Sequence, residues 1–163
     1  KDILITMLNG TKKVYTNSLV TRAEASGKSF HEILTIASII EKECKLEEQR
    51  PMVSSVIHNR IAVGMPIQCN PTSNYCDGVI DVLYPDKRDY FEKYYDTYIT
   101  RELPAGPICN PGINSIEAAI NPAQTEYLYF IIGTVEPFEA KYSETFAEHN
   151  KYLKENYELI YGK

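Results

Sequence analysis

Two glutamates separated by a single residue, Glu41 and Glu43, are the side chains of this sequence best suited to acid–base chemistry. They end a segment whose apolar residues recur at helical spacing and predict one buried stripe: Ile33, Ile36, Ala37, Ile40 and Cys44. On a helical wheel of about 100° per residue, the two carboxylates fall roughly 80° to either side of that stripe. Partial burial raises the pKa of a carboxyl group toward the working pH, as a general acid requires. Glutamates on helix edges more commonly serve solubility, and the wheel does not choose between the two.

The helix that carries these glutamates has a clear predicted start. Ser29 and Glu32 form a capping box, in which the hydroxyl bonds an open amide of the first turn and the glutamate reaches back. Before it, residues 2–25 carry apolar residues at loosely helical spacing. They predict a packing helix, with Gly10 as a weak point and Gly27 as its stop.

The chain after the central helix changes character. A second helix is predicted over residues 51–62, because it begins with a proline and ends near Gly64. Residues 64–112 are rich in Gly, Pro, Asn, Asp and Tyr and predict a long irregular region, with short strand candidates at 65–68 and 97–100. Its tyrosines and asparagines favour the lining of a cleft over disorder.

The C-terminal third predicts a helix, a strand and a helix. Asn114 and Glu117 resemble a second capping box before a short helix that ends after Ile120. Residues 127–133 form a β-rich apolar run typical of a buried strand, and residues 143–157 predict a last amphipathic helix. Helices with few, segregated strands indicate an α+β class: a single, mostly helical domain with a small β element and long cleft-lining loops.

Composition bounds the function. A chain of 163 residues with 44% hydrophobic content can bury the core of one domain. The net charge of −5 argues against a nucleic-acid partner, which requires a basic face. Thirteen tyrosines suit a sugar-binding cleft, although tyrosines also simply fill cores. No apolar run is long enough to span a bilayer, which takes about 18 residues.

Cysteine chemistry and cofactors find little support. The four cysteines permit up to two disulfides in three pairings: Cys44, Cys69, Cys76 and Cys109. Cys69 and Cys76 are close enough in sequence for a disulfide to close the loop between them. The spacing of the four cysteines does not match that of structural zinc sites. Neither His58 nor His149 lies in a signature for a cysteine nucleophile. Burial as small hydrophobes is the default interpretation for all four. No phosphate-binding or metal motif predicts a cofactor.

Five sequence blocks occur in an order that resembles the catalytic domain of endolytic murein transglycosylases, the YceG-like family: ASIIEKE, EQRPMVSSVIHNR, GMPIQCNPT, LPAGPICNPGINSIEAAINPAQTEYLYF and FAEHN. The resemblance covers about residues 30–153. It implies a lysozyme-like catalytic domain over residues 1–163, with the first glutamate of ASIIEKE, Glu41, as catalytic acid. It further implies a fragment of an extracytoplasmic protein, without the family's N-terminal membrane anchor and LysM-like subdomain.

The resemblance and the aromatic, amide-rich composition of the long region together suggest the remaining site residues. The expected substrate contacts are Gln68, Asn70, Thr72, Tyr75, Tyr98 and Asn110, of which the first three could also act from behind the contact surface. The expected supporting residues are Ser38, Glu43 and Asn59. Two positions depart from the family pattern: Asn70 stands where the family commonly has Asp, and Asp96 where it commonly has Asn.

The resemblance implies a reaction that one carboxylate can perform. Ordinary glycosidases use two carboxyl groups, about 5 to 5.5 Å apart for retention and about 6.5 to 9.5 Å for inversion. In a lytic transglycosylase, Glu41 would protonate the oxygen between MurNAc and GlcNAc and then accept the proton of the MurNAc C6 hydroxyl, which closes on C1. The product is a 1,6-anhydromuramyl end. The implied partners are peptidoglycan glycan strands and the cell-wall synthesis machinery.

Two alternatives remain open from sequence. One is a glycan-binding module in which Glu41 only hydrogen-bonds and no bond is cut, which the Asn70 departure keeps alive. The other is a hydrolytic muramidase in which Asp96 or another carboxylate activates water. The ends of the cut strands separate the two enzymes, because hydrolysis leaves free reducing ends.

Overall fold

A computed structural model describes residues 2–134 and 136–157; in the first helix the description excludes the side chains of Ile3, Leu4, Met7, Leu8, Thr11 and Val14. The helices are α1 (Asp2–Val14), α2 (Asn17–Ala25), α3 (Phe30–Glu43), α4 (Arg50–Ala62), α5 (Asn70–Tyr75), α6 (Asp81–Leu83), α7 (Arg88–Tyr95), α8 (Ile113–Ile120) and α9 (Phe146–Glu155). Strands β1 (Tyr129–Ile132) and β2 (Ala140–Ser143) pair antiparallel, with Tyr129 opposite Ser143. The α+β prediction is confirmed. The predicted domain of residues 1–163 extends beyond the described part at both ends.

Helix α3 is the centre of the core, as the sequence predicts. Both halves of the capping box form, since the Ser29 hydroxyl accepts from the Glu32 amide and the Glu32 carboxylate accepts from the Ser29 amide. The predicted stripe is buried along its whole length, from Ile33 to Cys44. It packs against α2, α4, α5 and α8.

The N-terminal segment forms two helices where the sequence predicts one. The break lies at Thr16, whose side chain accepts from the Leu19 amide and caps α2, and Gly10 lies inside α1. A local cap therefore outweighs the weak helix propensity of a glycine. The predicted stop is confirmed, because Gly27 adopts a φ of 81°, which favours glycine.

Residues 64–112 are more helical than the sequence predicts. The two strand candidates form no ladder in the described chain, and a single hydrogen bond joins them, from the Gln68 amide to the Thr97 carbonyl at 3.1 Å. Between them lie α5, a π-helical turn at Cys76–Ile80, α6 and α7. Arg88 ties this region together through ion pairs to three carboxylates, those of Asp77, Asp81 and Glu92. Ion pairs that join three short helices leave no periodic pattern in the sequence, so they could not be predicted from it.

The C-terminal elements also begin at different residues than predicted. Helix α8 starts at Ile113 with Gly112 as its N-cap, so Asn114 lies within the first turn and does not cap it. Ser143 ends β2, and Thr145 caps α9 in a capping box with Glu148. The predicted strand at residues 127–133 is β1, which is mostly half-buried. Within the described part, no helix is long and apolar enough to cross a membrane.

Candidate active site

The last turn of α3 directs Glu41 toward the start of α8. Its Oε2 accepts the Ser115 hydroxyl at 2.6 Å and the Gly112 amide at 3.2 Å. The Arg50 guanidinium lies 3.8 Å from Oε1. Gly112 has no side chain with which to cap α8, and the Glu41 carboxylate takes that role from another helix. The open amides and dipole of a helix N-terminus favour a negative charge there.

This environment keeps Glu41 ionised. Burial raises its pKa, but the hydrogen bonds from Ser115 and Gly112 and the charge of Arg50 outweigh burial, and the pKa lies below its usual value. A carboxylate of lowered pKa holds no proton to donate near neutral pH. The arrangement suits a structural cap.

Glu43 lies on the other side of α3 in a different environment. It is half-buried, and burial raises its pKa to about 7, with a hydrogen bond from the Cys69 thiol opposing part of that rise. Burial, followed by the charges of Cys69 and Glu43, raises the pKa of the Tyr98 hydroxyl. A carboxyl group with a pKa near 7 can both donate and accept a proton at neutral pH.

The segment facing Glu43 is held by buried hydroxyls. The Cys69 amide donates to Thr97 Oγ1 at 3.0 Å, and the Thr72 hydroxyl donates to the Cys69 carbonyl at 2.7 Å. The two threonine hydroxyls lie 2.9 Å apart. Thr72 is fully buried, so the expectation that it contacts substrate directly is corrected to the alternative of a role behind the surface. It fixes the backbone that presents Cys69 to Glu43.

Three of the expected substrate contacts do lie together on the exposed side of this segment. The Tyr98 hydroxyl donates to Asn70 Oδ1 at 2.6 Å, and both side chains are exposed. Gln68 is exposed as well, adopts a φ of 55°, and accepts from Arg60 at 3.3 Å. Buried Arg60 also donates to the Ile67 carbonyl at 2.7 Å, so it anchors the start of the segment. Together these residues form a polar, aromatic rim on the segment whose Cys69 neighbours Glu43.

The other two expected contacts, Tyr75 and Asn110, lie elsewhere. Tyr75 packs against Tyr95 with ring centroids 5.1 Å apart and lines a cavity of about 300 Å³. The cavity is lined by Lys42, Pro71, Asn74, Tyr75, Val79 and Ile108. Asn110 is exposed and accepts from the Tyr15 hydroxyl at 3.2 Å. The structure therefore does not bring Asn110 into the cluster around Glu43.

Two of the expected supporting residues position backbone. Ser38 is fully buried and accepts from the Ile108 amide at 3.0 Å, which ties the Pro-rich segment to α3. Asn59 donates to the carbonyls of Thr125 and Tyr127 at 2.8 and 3.0 Å, and it therefore joins α4 to the segment before β1. Both side chains therefore hold the backbone of other segments in place.

The remaining chemical candidates are placed as follows. Asp96 is buried and accepts from the Tyr98 amide at 2.8 Å, so it shapes the turn that carries that tyrosine. All four cysteines are free, and Cys44, Cys69 and Cys76 are buried. In residues 2–134 and 136–157, no three His, Cys, Asp or Glu side chains cluster as a metal site would.

Sequence reasoning missed two participants. The donor role of Cys69 toward Glu43 was not predicted, although the residue stands in the GMPIQCNPT block. The cavity beside Lys42 was also missed, because its walls come from three separate segments of the chain.

Comparison with known proteins gives the family of the chain. The YceG-like family model matches residues 1–155. An endolytic murein transglycosylase of Bacillus subtilis (strain 168) is 36% identical over 159 residues, which are 96% of this chain and 42% of that protein. One from Streptococcus pneumoniae serotype 2 (strain D39 / NCTC 7466) is 29% identical over 131 residues, 77% of this chain and 24% of that protein.

The structural comparison points the same way. A crystal structure of a YceG-like protein from Listeria monocytogenes matches with a TM-score of 0.69 and 38% identity, over 80% of this chain and 42% of that one. The chain thus spans less than half the length of each of these relatives. The match over nearly its whole described length, together with the shared fold, shows that the chain belongs to the YceG-like family.

Proposed function

We propose that the chain is the catalytic part of a lytic transglycosylase that cuts peptidoglycan glycan strands, and that Glu43 is its acid. The observation that carries the proposal is a half-buried carboxyl group with a pKa of about 7, beside the exposed rim of Gln68, Asn70 and Tyr98. The names of the relatives, endolytic murein transglycosylases, support the substrate and the internal position of the cut.

The choice of Glu43 over Glu41 rests on what each carboxyl group already binds. Glu41 accepts from Ser115 and Gly112 and lies near Arg50, and its lowered pKa leaves it unprotonated. Glu43 has the weak thiol donor of Cys69 as its hydrogen-bonding neighbour and keeps a proton near pH 7. We therefore assign the proton donor to Glu43, whereas the family resemblance implies Glu41, and the variants below decide between them.

The proposed reaction uses the Glu43 carboxyl group twice, first as an acid and then as a base. Glu43 donates its proton to the oxygen between MurNAc C1 and GlcNAc as the C1–O bond breaks. The resulting carboxylate then takes the proton of the MurNAc C6 hydroxyl while that oxygen bonds to C1, so Glu43 ends protonated again. The nucleophile belongs to the substrate, and proximity replaces a second carboxylate. The burial and local bonding of Asp96 fit this scheme better than the role of a hydrolytic base.

The experiment is mass analysis of muropeptides after incubation of purified glycan strands with the parent chain, Glu43→Gln and Glu41→Gln. We expect 1,6-anhydromuramyl ends from the parent, none from Glu43→Gln, and retained cleavage by Glu41→Gln if the variant is folded. Loss of cleavage in folded Glu41→Gln alone would show that Glu41, and not Glu43, is the acid. Free reducing ends would make the protein a hydrolase, and strand binding by all three without cleavage would make it a binding module.

We also propose that the full-length protein is anchored in the cell membrane, faces the wall and works beside the cell-wall synthesis machinery. The greater length of the relatives leaves room for an anchor and for contact domains. Membrane fractionation and crosslinking of the full-length protein test this. Recovery in the cytoplasmic fraction, or no crosslink to a synthesis protein, would contradict it.

A further inference from the structure

Two exposed amide side chains of the rim, those of Gln68 and Asn70, each have their oxygen held by a donor of the chain. Arg60 Nη1 donates to Gln68 Oε1 at 3.3 Å, and the Tyr98 hydroxyl donates to Asn70 Oδ1 at 2.6 Å. A side-chain amide has one acceptor oxygen and an NH2 group with two donors. Among residues 2–134 and 136–157, no group accepts from either NH2. Both NH2 groups are therefore available to acceptors from outside the chain.

Arg60 is a fixed donor. Its Nε donates to the Leu128 carbonyl at 2.6 Å, and Nη1 also donates to the Ile67 carbonyl at 2.7 Å. The guanidinium carbon lies 5.1 Å from the centroid of the Tyr129 ring, within the distance for a cation–π contact. Arg60 is buried, so these contacts leave its side chain little freedom to follow a moving partner.

The main chain of Gln68 is held as firmly as its side chain. It adopts a φ of 55°, in the left-handed region that residues with a Cβ rarely occupy. Its amide donates to the Thr97 carbonyl at 3.1 Å, and the following Cys69 amide donates to Thr97 Oγ1 at 3.0 Å. Such a conformation persists only where the surrounding structure holds it, commonly at functional sites. The orientation of the Gln68 amide is thus set from both ends of the residue.

We propose that Arg60 and Tyr98 are positioning residues that fix Gln68 and Asn70 as hydrogen-bond donors to carbonyl oxygens of the N-acetyl groups of the glycan; the inference rests on the proposed function. Sugar hydroxyls can donate as well as accept, whereas the oxygen of an N-acetyl group only accepts. A pair of donors therefore selects the N-acetyl oxygen. The positioning is the same whichever glutamate supplies the proton.

The residue at position 70 then acquires a physical meaning. The family commonly has Asp there, and a carboxylate could accept from Tyr98 but would present no donor to the glycan. Asn70 presents an NH2 group without a charge. A de-N-acetylated sugar carries an ammonium, which two outward NH2 groups cannot bind. The departure should therefore sharpen the selection of N-acetylated over de-N-acetylated strands.

The first experiment reverses the polarity of the rim. Asn70→Asp and Gln68→Glu keep the size of each side chain and its acceptor for the positioning donor, but remove the outward NH2. The probes are oligomers of GlcNAc and of glucosamine, which lack the MurNAc residue that the proposed cut requires. The control is Asn74→Asp, which makes the same charge change at an exposed position of α5.

Equilibrium binding, followed by NMR titration, gives the outcome. The parent should prefer the GlcNAc oligomer. Asn70→Asp and Gln68→Glu should each bind that oligomer about threefold to tenfold more weakly, as expected for one lost hydrogen bond, and should bind the glucosamine oligomer more tightly than the parent does. Asn74→Asp should leave the affinity for the GlcNAc oligomer unchanged. Equal changes in all three variants would attribute the effect to net charge and overturn the proposal.

A second experiment separates positioning from direct contact and from folding. Tyr98→Phe should weaken binding of the GlcNAc oligomer about twofold in the parent and not at all in an Asn70→Ala background. Arg60→Lys, which keeps the charge and loses the planar fork, should likewise have its effect only while Gln68 is present. Losses of the same size in the alanine backgrounds would contradict positioning, because they would arise from direct contacts or from the fold.

These measurements need no cleavage and therefore distinguish the two proposals. A chain that shows this binding pattern but leaves no anhydromuramyl ends would refute the transglycosylase reaction alone. A parent that cleaves glycan strands but binds both oligomers equally would refute only the donor role of Gln68 and Asn70.

Discussion

The two sides of the last turn of α3 give the same side chain opposite properties. Glu41 meets the start of α8, where a hydroxyl and an amide donate to it, and its pKa is lowered. Glu43 meets a buried thiol, and its pKa is raised to about 7. Burial is the largest cause of the raised pKa of Glu43. At Glu41 the hydrogen bonds from Ser115 and Gly112 and the charge of Arg50 outweigh burial.

The difference follows from helix geometry and from what packs on each side. Residues two apart on a helix point in directions about 200° apart, so Glu41 and Glu43 reach different neighbours. Helix α8 presents its unpaired N-terminal amides on one side. The Cys69 segment presents backbone that Thr72 and Thr97 already satisfy on the other. One side stabilises a charge, and the other tolerates a neutral acid.

The largest expected effect is on catalysis. Glu43→Gln should lower the rate of anhydromuramyl formation at least about a hundredfold, as loss of a general acid does, and Glu41→Gln should lower it far less. In the parent, kcat should fall as pH rises through about 7, because Glu43 must be protonated to donate. Rates measured from pH 5 to 9 on folded variants check this. A parent profile with no alkaline limb near neutral pH would break the comparison.

The second expected effect is on stability. Folded Glu43 keeps its proton up to about pH 7 while the unfolded chain loses it near 4.5, so Glu43 stabilises the fold at low pH and that contribution is lost as pH rises through 7. Glu43→Gln should therefore gain about 1–3 kcal/mol of unfolding free energy relative to the parent between pH 4 and pH 8. Urea denaturation at both pH values measures it. Parallel pH dependence in parent and variant would show that Glu43 is not a buried neutral acid.

The position of the glutamates could be predicted from sequence, because its determinants are local. The capping residues Ser29 and Glu32 fix the start of α3, and the apolar stripe fixes the face that it buries. Both signals lie within the helix. Together they place Glu41 and Glu43 at the two edges of the core, as the wheel predicts.

The roles of the two glutamates could not be predicted, because their determinants are distant. Gly112 and Ser115, which donate to Glu41, lie 71 and 74 residues away along the chain. The resemblance to a family names a motif but does not show which neighbour each carboxyl meets. The helices between residues 70 and 95 were missed for a similar reason, since Arg88 holds them through carboxylates on three different turns. Such pairings leave no periodic pattern.

A third prediction concerns the structural side of the comparison. Glu41→Gln should destabilise the fold by about 1–2 kcal/mol at pH 7, because it removes a charge from the N-terminus of α8 and weakens two hydrogen bonds. Glu41 has a lowered pKa, so its contribution is present above the unfolded pKa and is lost as pH falls through the folded value. Glu48→Gln, at an exposed position, is the control in thermal unfolding. Equal melting temperatures for the two variants would argue against a capping role.

The smallest expected effect tests the donor on the catalytic side. The Cys69 thiol lowers the pKa of Glu43 by donating to its carboxylate, so Cys69→Ala should raise that pKa. A net hydrogen-bond free energy of about 0.5–1.5 kcal/mol corresponds to a shift of roughly 0.4 to 1 pH unit. The alkaline limb of kcat should move to higher pH by that amount, while Cys76→Ala, at another buried thiol, should leave it in place.

A carboxyl-carbon NMR titration of Glu43 in the same two variants separates a change in proton affinity from a change in packing. Loss of packing alone would lower kcat at every pH and leave the midpoint unmoved. A midpoint that shifts equally in Cys69→Ala and Cys76→Ala would show that general loosening of the core, and not the thiol donor, sets the pKa of Glu43. A midpoint shift confined to Cys69→Ala would show that the Cys69 thiol sets the pKa of Glu43. The strength of that one donor would then set the pH range in which the enzyme is active.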